Sequence, residues 1–180
     1  MPGRLALAAL LLLATPGCGA KSAVAPSEPR FPALTGRVVD EADLLAATDE
    51  RALAGQSAAI ERETGAQYVV VTLRSLQGYA IEDYGVRLGR HWGIGRKGVN
   101  DGLLLIVAPA ERKVRIEVGS GLEKRVTDPF AGKVIRERLV PAFRKGRFAD
   151  GIRAASAALI ERLRSKASDA QIRAVDGVLT

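Results

Sequence analysis

The chain has 180 residues, of which 47% are hydrophobic and 26% charged, a balance typical of a globular protein rather than a disordered one. This length predicts one compact domain with appendages. The single cysteine excludes an intramolecular disulfide, and with only one histidine beside it zinc sites of the usual kind are excluded as well. The formal net charge of +7 would suit a polyanionic partner.

An apolar N-terminal segment predicts export. Arg4 precedes an unbroken apolar run, residues 5–14, which is too short to span a bilayer but suits the hydrophobic region of a signal peptide. A buried N-terminal helix is the alternative. Pro16 argues against it, because a proline just after the apolar run would end such a helix at once. We therefore predict a signal peptide over residues 1–17 and a periplasmic or cell-envelope location. Export argues against a nucleic-acid partner, and an anionic membrane surface or envelope polymer matches the positive charge better.

The sequence TPGC, residues 15–18, resembles a bacterial lipobox, in which the cysteine is lipidated and becomes the mature N-terminus. The small residue before Cys18 fits this pattern, whereas threonine stands where leucine is usual. Ordinary cleavage nearby, for instance after Ala20, is the alternative. Residues 18–35 contain three prolines and no hydrophobic periodicity, so we predict a linker that leads to the folded part.

The folded part begins with a helix and a strand. Val38 and Val39 form either a short edge strand or a docking segment. Thr48 is predicted to be the N-cap of a helix that Gly65 ends. Residues 66–73 are nearly all apolar and rich in β-branched side chains, which predicts a strand buried on both faces.

A second helix–strand unit and a hairpin follow. Apolar residues recur at helical spacing at Ile81, Tyr84, Leu88 and Trp92. Residues 102–109 predict a second buried strand, joined to the first by a parallel, right-handed crossover. Residues 113–119 alternate between apolar and charged side chains, which predicts a half-exposed hairpin strand with its charges on the outer face.

Two further helices complete the predicted domain. Thr127 or Asp128 caps the first of them, and Pro141 is expected to kink or break it. The last helix begins at Phe148, and residues 166–180 form a loose tail. The order of elements predicts an α/β fold, a three-layer α/β/α sandwich in which helices flank a Rossmann-like mixed sheet.

A glycine motif, G-x-G-x-x-G at Gly93, Gly95 and Gly98, raises the question of a nucleotide site. A dinucleotide fingerprint needs these glycines after a strand and before a helix, whose N-terminus binds the pyrophosphate. Here a helix precedes the glycines and a strand follows them. The sequence therefore predicts no nucleotide site.

Oxygen-bearing side chains next to this loop indicate a different chemistry. Asn100 and Asp101 follow the glycines, and a second glycine-rich segment, which we expect to converge on the same end of the sheet, brings Asp128. Asp40 could supply a third carboxylate. Such ligands suit a hard cation, Ca²⁺ or Mg²⁺. A turn without a metal is the alternative, because asparagine and aspartate are also common turn residues.

The run WGIGRKGVNDGLLL followed by RIEVGSGLE resembles the TPM-domain family, and the similarity spans about residues 36–165. The resemblance implies an α/β sandwich without a nucleotide. The family includes thylakoid-lumen proteins involved in photosystem II repair and many bacterial envelope proteins. Acid-phosphatase activity has been claimed for a plant member, and others look like divalent-cation binders. Asp40, Asp101 and Asp128 match the acidic positions of the family motif, which implies a metal site there.

Three functions are compatible with the sequence. The first is a non-enzymatic, divalent-cation-binding envelope module that assists the maintenance or assembly of a membrane-protein complex or another envelope component. The lack of an evident nucleophile–base pair favours it. The alternative is a metal-dependent phosphatase in which Asp101 and Asp128 hold the cation and Lys97 or Arg125 neutralises the phosphate ester. The third is a basic protein that binds anionic lipid or cell-wall polymer.

Overall fold

The computed structural model describes residues 28–165. The predicted signal peptide, the predicted lipidation site Cys18 and the predicted C-terminal tail from residue 166 lie outside the described residues. The elements are β1 Val38–Asp40, α1 Ala47–Thr64, β2 Gln67–Thr72, α2 Ile81–Trp92, β3 Gly102–Ala108, β4 Lys113–Val118, α3 Asp128–Val134, a π-helical turn Ile135–Leu139, α4 Val140–Phe143 and α5 Phe148–Arg164. None of the helices between residues 28 and 165 is long and apolar enough to cross a membrane.

The four strands form one mixed sheet in the order β1-β2-β3-β4. β1 and β3 both pair with β2 in parallel, and β3 pairs with β4 in antiparallel fashion. The parallel crossover and the hairpin are therefore confirmed. Val38 and Val39 form an edge strand, which decides between the two alternatives for this segment.

Helices cover both faces of the sheet. Alternate residues of the central strands enter two apolar clusters, so that Val70 and Leu105 face α1, α3 and α5, whereas Val71 and Ile106 face α2. Every residue of β3 is buried, as its unbroken apolar sequence predicts. The three-layer α/β/α sandwich is confirmed.

The start of α1 differs from the prediction, whereas its end agrees. The amides of Asp49 and Glu50 donate to the carbonyl of Ala46, so helical hydrogen bonding has begun before Thr48 and Ala46 is the N-cap. Thr48 lies within the first turn and its assignment as N-cap is wrong. Gly65 ends the helix in the left-handed conformation, with φ of 80°, as predicted.

Replacing Gly55 by alanine should stabilise the protein. Gly55 is exposed in the interior of α1, and an added Cβ would meet no atom within 4 Å. Alanine restricts the unfolded chain and has the higher helix propensity, so we expect the free energy of unfolding to rise by about 1 kcal/mol in urea denaturation. Gly89→Ala in α2 is the control, because its Cβ would lie 3.0 Å from Cδ1 of Leu104. A gain at Gly89 as large as that at Gly55 would contradict this account.

The helix that contains Pro141 is neither broken nor ended by it. Thr127 is the N-cap, as one of the two predicted alternatives had it, and helical residues continue from α3 through the π-helical turn into α4. A proline ring clashes with the carbonyl four residues earlier, here that of Glu137. The wider π-helical turn that precedes Pro141 accommodates this residue within a continuous helix.

The charged face of β4 is covered rather than open to solvent. Arg115 and Glu117 form an ion pair of 2.5 Å, and their side chains are only 31% and 19% exposed. They lie beneath α2 at Gly85, where an added Cβ would be 3.4 Å from Oε2 of Glu117. The prediction that these charges face solvent is therefore wrong. The glycine in α2 lets the helix approach the sheet closely, so that it covers them.

The last part of the predicted linker packs against the domain. The backbone of Arg30 exchanges two hydrogen bonds with the side-chain amide of Gln77, at 2.9 and 2.7 Å. The indole of Trp92 donates to the carbonyl of Pro32 at 2.9 Å. The folded part of the chain therefore begins before residue 36.

Candidate functional site

Two loops meet at one end of the sheet. The first glycine loop, residues 93–101, enters β3, and the second glycine loop, residues 119–127, leaves β4. The amide of Gly119 donates to the carbonyl of Gly102 at 2.8 Å, and that of Gly121 donates to the carbonyl of Asn100 at 3.0 Å. The predicted convergence of the two loops is confirmed.

The closeness of the two loops explains why glycine occupies both contact positions. A Cβ on Gly119 would lie 2.1 Å from the carbonyl oxygen of Asn100, and one on Gly121 would lie 2.0 Å from that of Val99. The obstructing atoms belong to the backbone, so a side-chain rotation cannot relieve the overlap. The glycines of the second loop are therefore needed because they let the two backbones approach closely, and not because they make the loop flexible.

Asp101 lies in the first glycine loop with its side chain only 5% exposed. One carboxylate oxygen accepts the backbone amide of Arg96 at 2.8 Å, and the other accepts Nε of the same residue at 2.7 Å. The backbone carbonyl of Asp101 accepts the amide of Gln67 at 2.9 Å, which ties the loop to β2. Asp101 thus organises its own loop around a buried negative charge.

Arg96 determines the electrostatics of this carboxylate. Burial alone would raise the pKa of Asp101, but the hydrogen bonds from the side chain and backbone of Arg96 outweigh burial and hold that pKa below its usual value. The same contact raises the pKa of Arg96. Asp101 is therefore ionised at neutral pH and already has a cationic partner.

The other oxygen ligands predicted from the two loops are exposed. Asn100 adopts φ of 55°, a left-handed conformation that asparagine tolerates better than most residues. Asp128 lies in the first turn of α3. Both residues can contribute oxygen atoms at the surface, whereas the carboxylate of Asp101 faces inward.

Asp40 lies at the opposite end of the strands from the two glycine loops. It pairs with Thr72 at the end of β2, whereas Gly102, next to Asp101, pairs with Gln67 at the start of the same strand. Five residue steps along a strand correspond to roughly 16 Å. The carboxylate of Asp40 accepts the amides of Leu44 and Leu45 at 3.1 and 2.8 Å, so its contacts organise the turn after β1.

The side chains at the glycine loops offer the oxygen atoms that a hard cation binds, but they do not form a cluster of carboxylates. Within residues 28–165 no group of three or more histidine, cysteine, aspartate or glutamate side chains is arranged to hold a metal. Asn100, Asp101 and Asp128 offer oxygen atoms, which Ca²⁺ and Mg²⁺ prefer. A cation that used the carboxylate of Asp101 would compete with Arg96, a partner that the sequence pattern does not indicate.

A cavity of about 490 Å³ adjoins the loops, between α2 and the β3–β4 hairpin. Asn100 and Ser120 line it on the loop side, and Arg90 and Glu117 line it on the side of the helix and sheet. Glu117 was predicted to face solvent, and nothing in the alternation of β4 indicated that α2 would cover it. Its inclusion follows only from the packing of the helix.

The position of α2 favours cations over phosphates at this end of the sheet. The helix ends at Trp92, and Gly93 caps it with φ of 64°. The first glycine loop therefore receives the C-terminal, partly negative end of the helix dipole, whereas a dinucleotide site uses the positive N-terminal end. The glycine motif follows α2 and precedes β3, in the order predicted from the sequence.

Comparisons with known proteins agree with the family resemblance. The model of the TPM domain matches residues 38–162. The solution NMR structure of the N-terminal domain of a P. gingivalis protein is 36% identical, with a TM-score of 0.67 over 72% of this chain and 82% of that chain. No curated protein matches this chain.

Two more distant solution NMR structures share the fold. The N-terminal domain of a Corynebacterium glutamicum protein has a TM-score of 0.57 at 18% identity, over 79% of this chain and 88% of that chain. The BA42 protein of Bizionia argentinensis has a TM-score of 0.54 at 21% identity, over 68% and 86% respectively.

Proposed function

Because the chain belongs to the TPM-domain family, we propose that it is an exported, non-enzymatic module of the cell envelope. In this proposal the two glycine loops bind a divalent cation, Ca²⁺ or Mg²⁺, and the module assists the maintenance or assembly of a membrane-protein complex. The apolar segment at residues 5–14 supports export.

The convergence of the two glycine loops is the observation that carries this proposal. The hydrogen bond from Gly121 to Asn100 fastens the second loop to the first, next to Asp101. The negative end of the α2 dipole reaches the same region. Asn100 and Asp101 bring carboxylate, amide and carbonyl oxygens to this junction, and these are the ligands that hard cations take.

Val99 supports a role in binding a partner. It lies at the tip of the first glycine loop and is 46% exposed, one of two large hydrophobic residues in residues 28–165 with so much accessible surface. Its backbone carbonyl lies against Gly121 in the second loop. An ordered, exposed apolar side chain beside a cation site can contact a partner whose affinity depends on the cation.

A calcium and magnesium titration of the full-length chain tests the proposal. We expect saturable thermal stabilisation and NMR shifts in both glycine loops, with both responses lost in Asp128→Asn and reduced in Asp101→Asn. Asp40→Asn is the matched control, because Asp40 lies at the other edge of the sheet. An absence of any response in the wild-type chain would exclude the cation-binding role.

Arg96→Gln sharpens the same experiment. Arg96 is exposed, and removing its guanidinium eliminates the charge that competes for Asp101, so cation affinity should rise about tenfold if Asp101 is a ligand. An unchanged or lower affinity would show that the cation does not use Asp101. Hydrolysis of a phosphate ester that requires the cation and is lost in Asp128→Asn would replace the non-enzymatic assignment with a phosphatase.

A further inference from the structure

A second cavity lies far from the glycine loops. It is a groove of about 670 Å³ between the β3–β4 hairpin and the turn that joins α4 to α5, and we term it the basic groove. Its sheet-side lining comprises Val107, near the end of β3, and Val114, near the start of β4. The glycine loops contact the other ends of these strands, so the two sites lie at opposite ends of the β3–β4 hairpin.

One part of the basic groove is apolar. Val140, Phe143 and Phe148 line its helical side and are only half-buried. The two aromatic rings contact each other, with their centroids 4.9 Å apart. Of the four phenylalanines of the chain, two line this groove and remain partly accessible. Such a surface favours a nonpolar ligand group.

The other part of the groove is cationic. Arg112, Lys113 and Arg144 line it and are exposed, and none of the three forms an ion pair with any acidic side chain of residues 28–165. The groove therefore combines an uncompensated positive charge with an apolar wall.

Neighbouring acidic residues are engaged elsewhere. Glu111, next to Arg112, accepts the hydroxyl of Ser75 at 2.9 Å and the amide of Leu76 at 2.7 Å, which directs it toward the β2–α2 connection. Asp150, near Phe148, pairs with Arg153 on its own helix. No acidic residue lines the groove within the described part of the chain.

We propose that the basic groove binds an anionic membrane lipid. An acyl chain lies against Val140, Phe143 and Phe148, and the anionic head group contacts Arg112, Lys113 and Arg144. The volume falls within the range of small-molecule sites. A zwitterionic lipid leaves the cations unmatched, and inorganic phosphate leaves the apolar wall unused. The inference goes beyond the proposed cation site and does not depend on it, because the two sites lie at opposite ends of the β3–β4 hairpin.

The test is an NMR titration of the full-length chain with lysophosphatidylglycerol below its micellar concentration. We expect saturable shifts of Val114, Val140, Phe143 and Phe148. Lysophosphatidylcholine and inorganic phosphate should each bind about a hundredfold more weakly, since three cations contribute to recognition of the head group and the apolar wall to recognition of the chain. Equal binding of either compound, or shifts confined to other surfaces, would overturn the proposal.

Matched variants separate the groove from general surface charge. The triple variant Arg112→Ala, Lys113→Ala, Arg144→Ala should weaken lysophosphatidylglycerol binding about a hundredfold. The control triple Arg51→Ala, Arg136→Ala, Arg138→Ala removes the same charge from exposed residues that form no ion pair within residues 28–165. Equal weakening in both triples would show non-specific attraction and contradict the assignment.

A substitution in the apolar wall tests the position of the acyl chain. Val140→Asp places a negative charge in the groove and should abolish binding, whereas the nearly isosteric Val140→Thr should largely retain it. Circular dichroism of both variants establishes that they are folded. Unchanged binding by a folded Val140→Asp protein would overturn the proposal.

Discussion

Replacing Gly121 by alanine should lower the free energy of unfolding by about 3 kcal/mol, the upper part of the range for an overpacked site. An added Cβ would lie 2.0 Å from the carbonyl oxygen of Val99, a distance much shorter than an ordinary van der Waals contact between these atoms. Relief requires the two glycine loops to separate, which breaks the hydrogen bond from Gly121 to Asn100. Urea denaturation of both proteins measures the loss.

Gly36→Ala is the control for this experiment. A Cβ at Gly36 would meet no atom within 4 Å, so we expect its effect on the free energy of unfolding to be within about 0.5 kcal/mol. A similar loss in both variants would mean that the contact between the loops does not determine the effect. If Gly121→Ala also abolishes a cation response that Gly36→Ala retains, the loop junction is required for binding as well as for stability.

The sequence predicts the layers of this fold because its strands and helices have distinct periodicities. Residues 102–108 are apolar throughout, and a strand buried on both faces explains this composition. Tyr84 and Leu88 recur at helical spacing and pack on the face of the sheet that α2 covers. The spacing of apolar residues in these elements depends only on which of their faces are buried, so it predicts them without knowledge of the tertiary contacts.

The site was less predictable because its contacts depend on tertiary structure. Arg96 lies only five residues before Asp101, yet no local pattern indicates that its side chain turns back onto that carboxylate. Asp40 looks equivalent to Asp101 in the sequence, but the parallel pairing of β1 with β2 places it at the other edge. Glu117 follows strict alternation and is nevertheless covered, because Gly85 lets α2 approach the sheet.

Asp101→Asn should destabilise the protein in a manner that depends on pH. The folded state holds the pKa of Asp101 below its usual value, so the ionised carboxylate stabilises the fold at neutral pH. That stabilisation is fully present above the unfolded-state pKa of about 3.9 and is lost as the pH falls through the lower folded-state pKa. Asparagine cannot form the charged contact with Arg96, so we expect a loss of about 2 kcal/mol at neutral pH.

The difference between the two proteins should therefore shrink in acid. Urea denaturation at neutral pH and at an acidic pH below the folded-state pKa of Asp101, in the presence of a chelator, measures it, because a protonated aspartate and an asparagine are both neutral. Asp128→Asn is the control, because Asp128 is exposed in the first turn of α3 and should contribute only about 0.5 kcal/mol through the helix dipole. A loss in Asp101→Asn that is equally large at both pH values would assign the effect to packing. The buried charge would then not be what holds the first glycine loop in place.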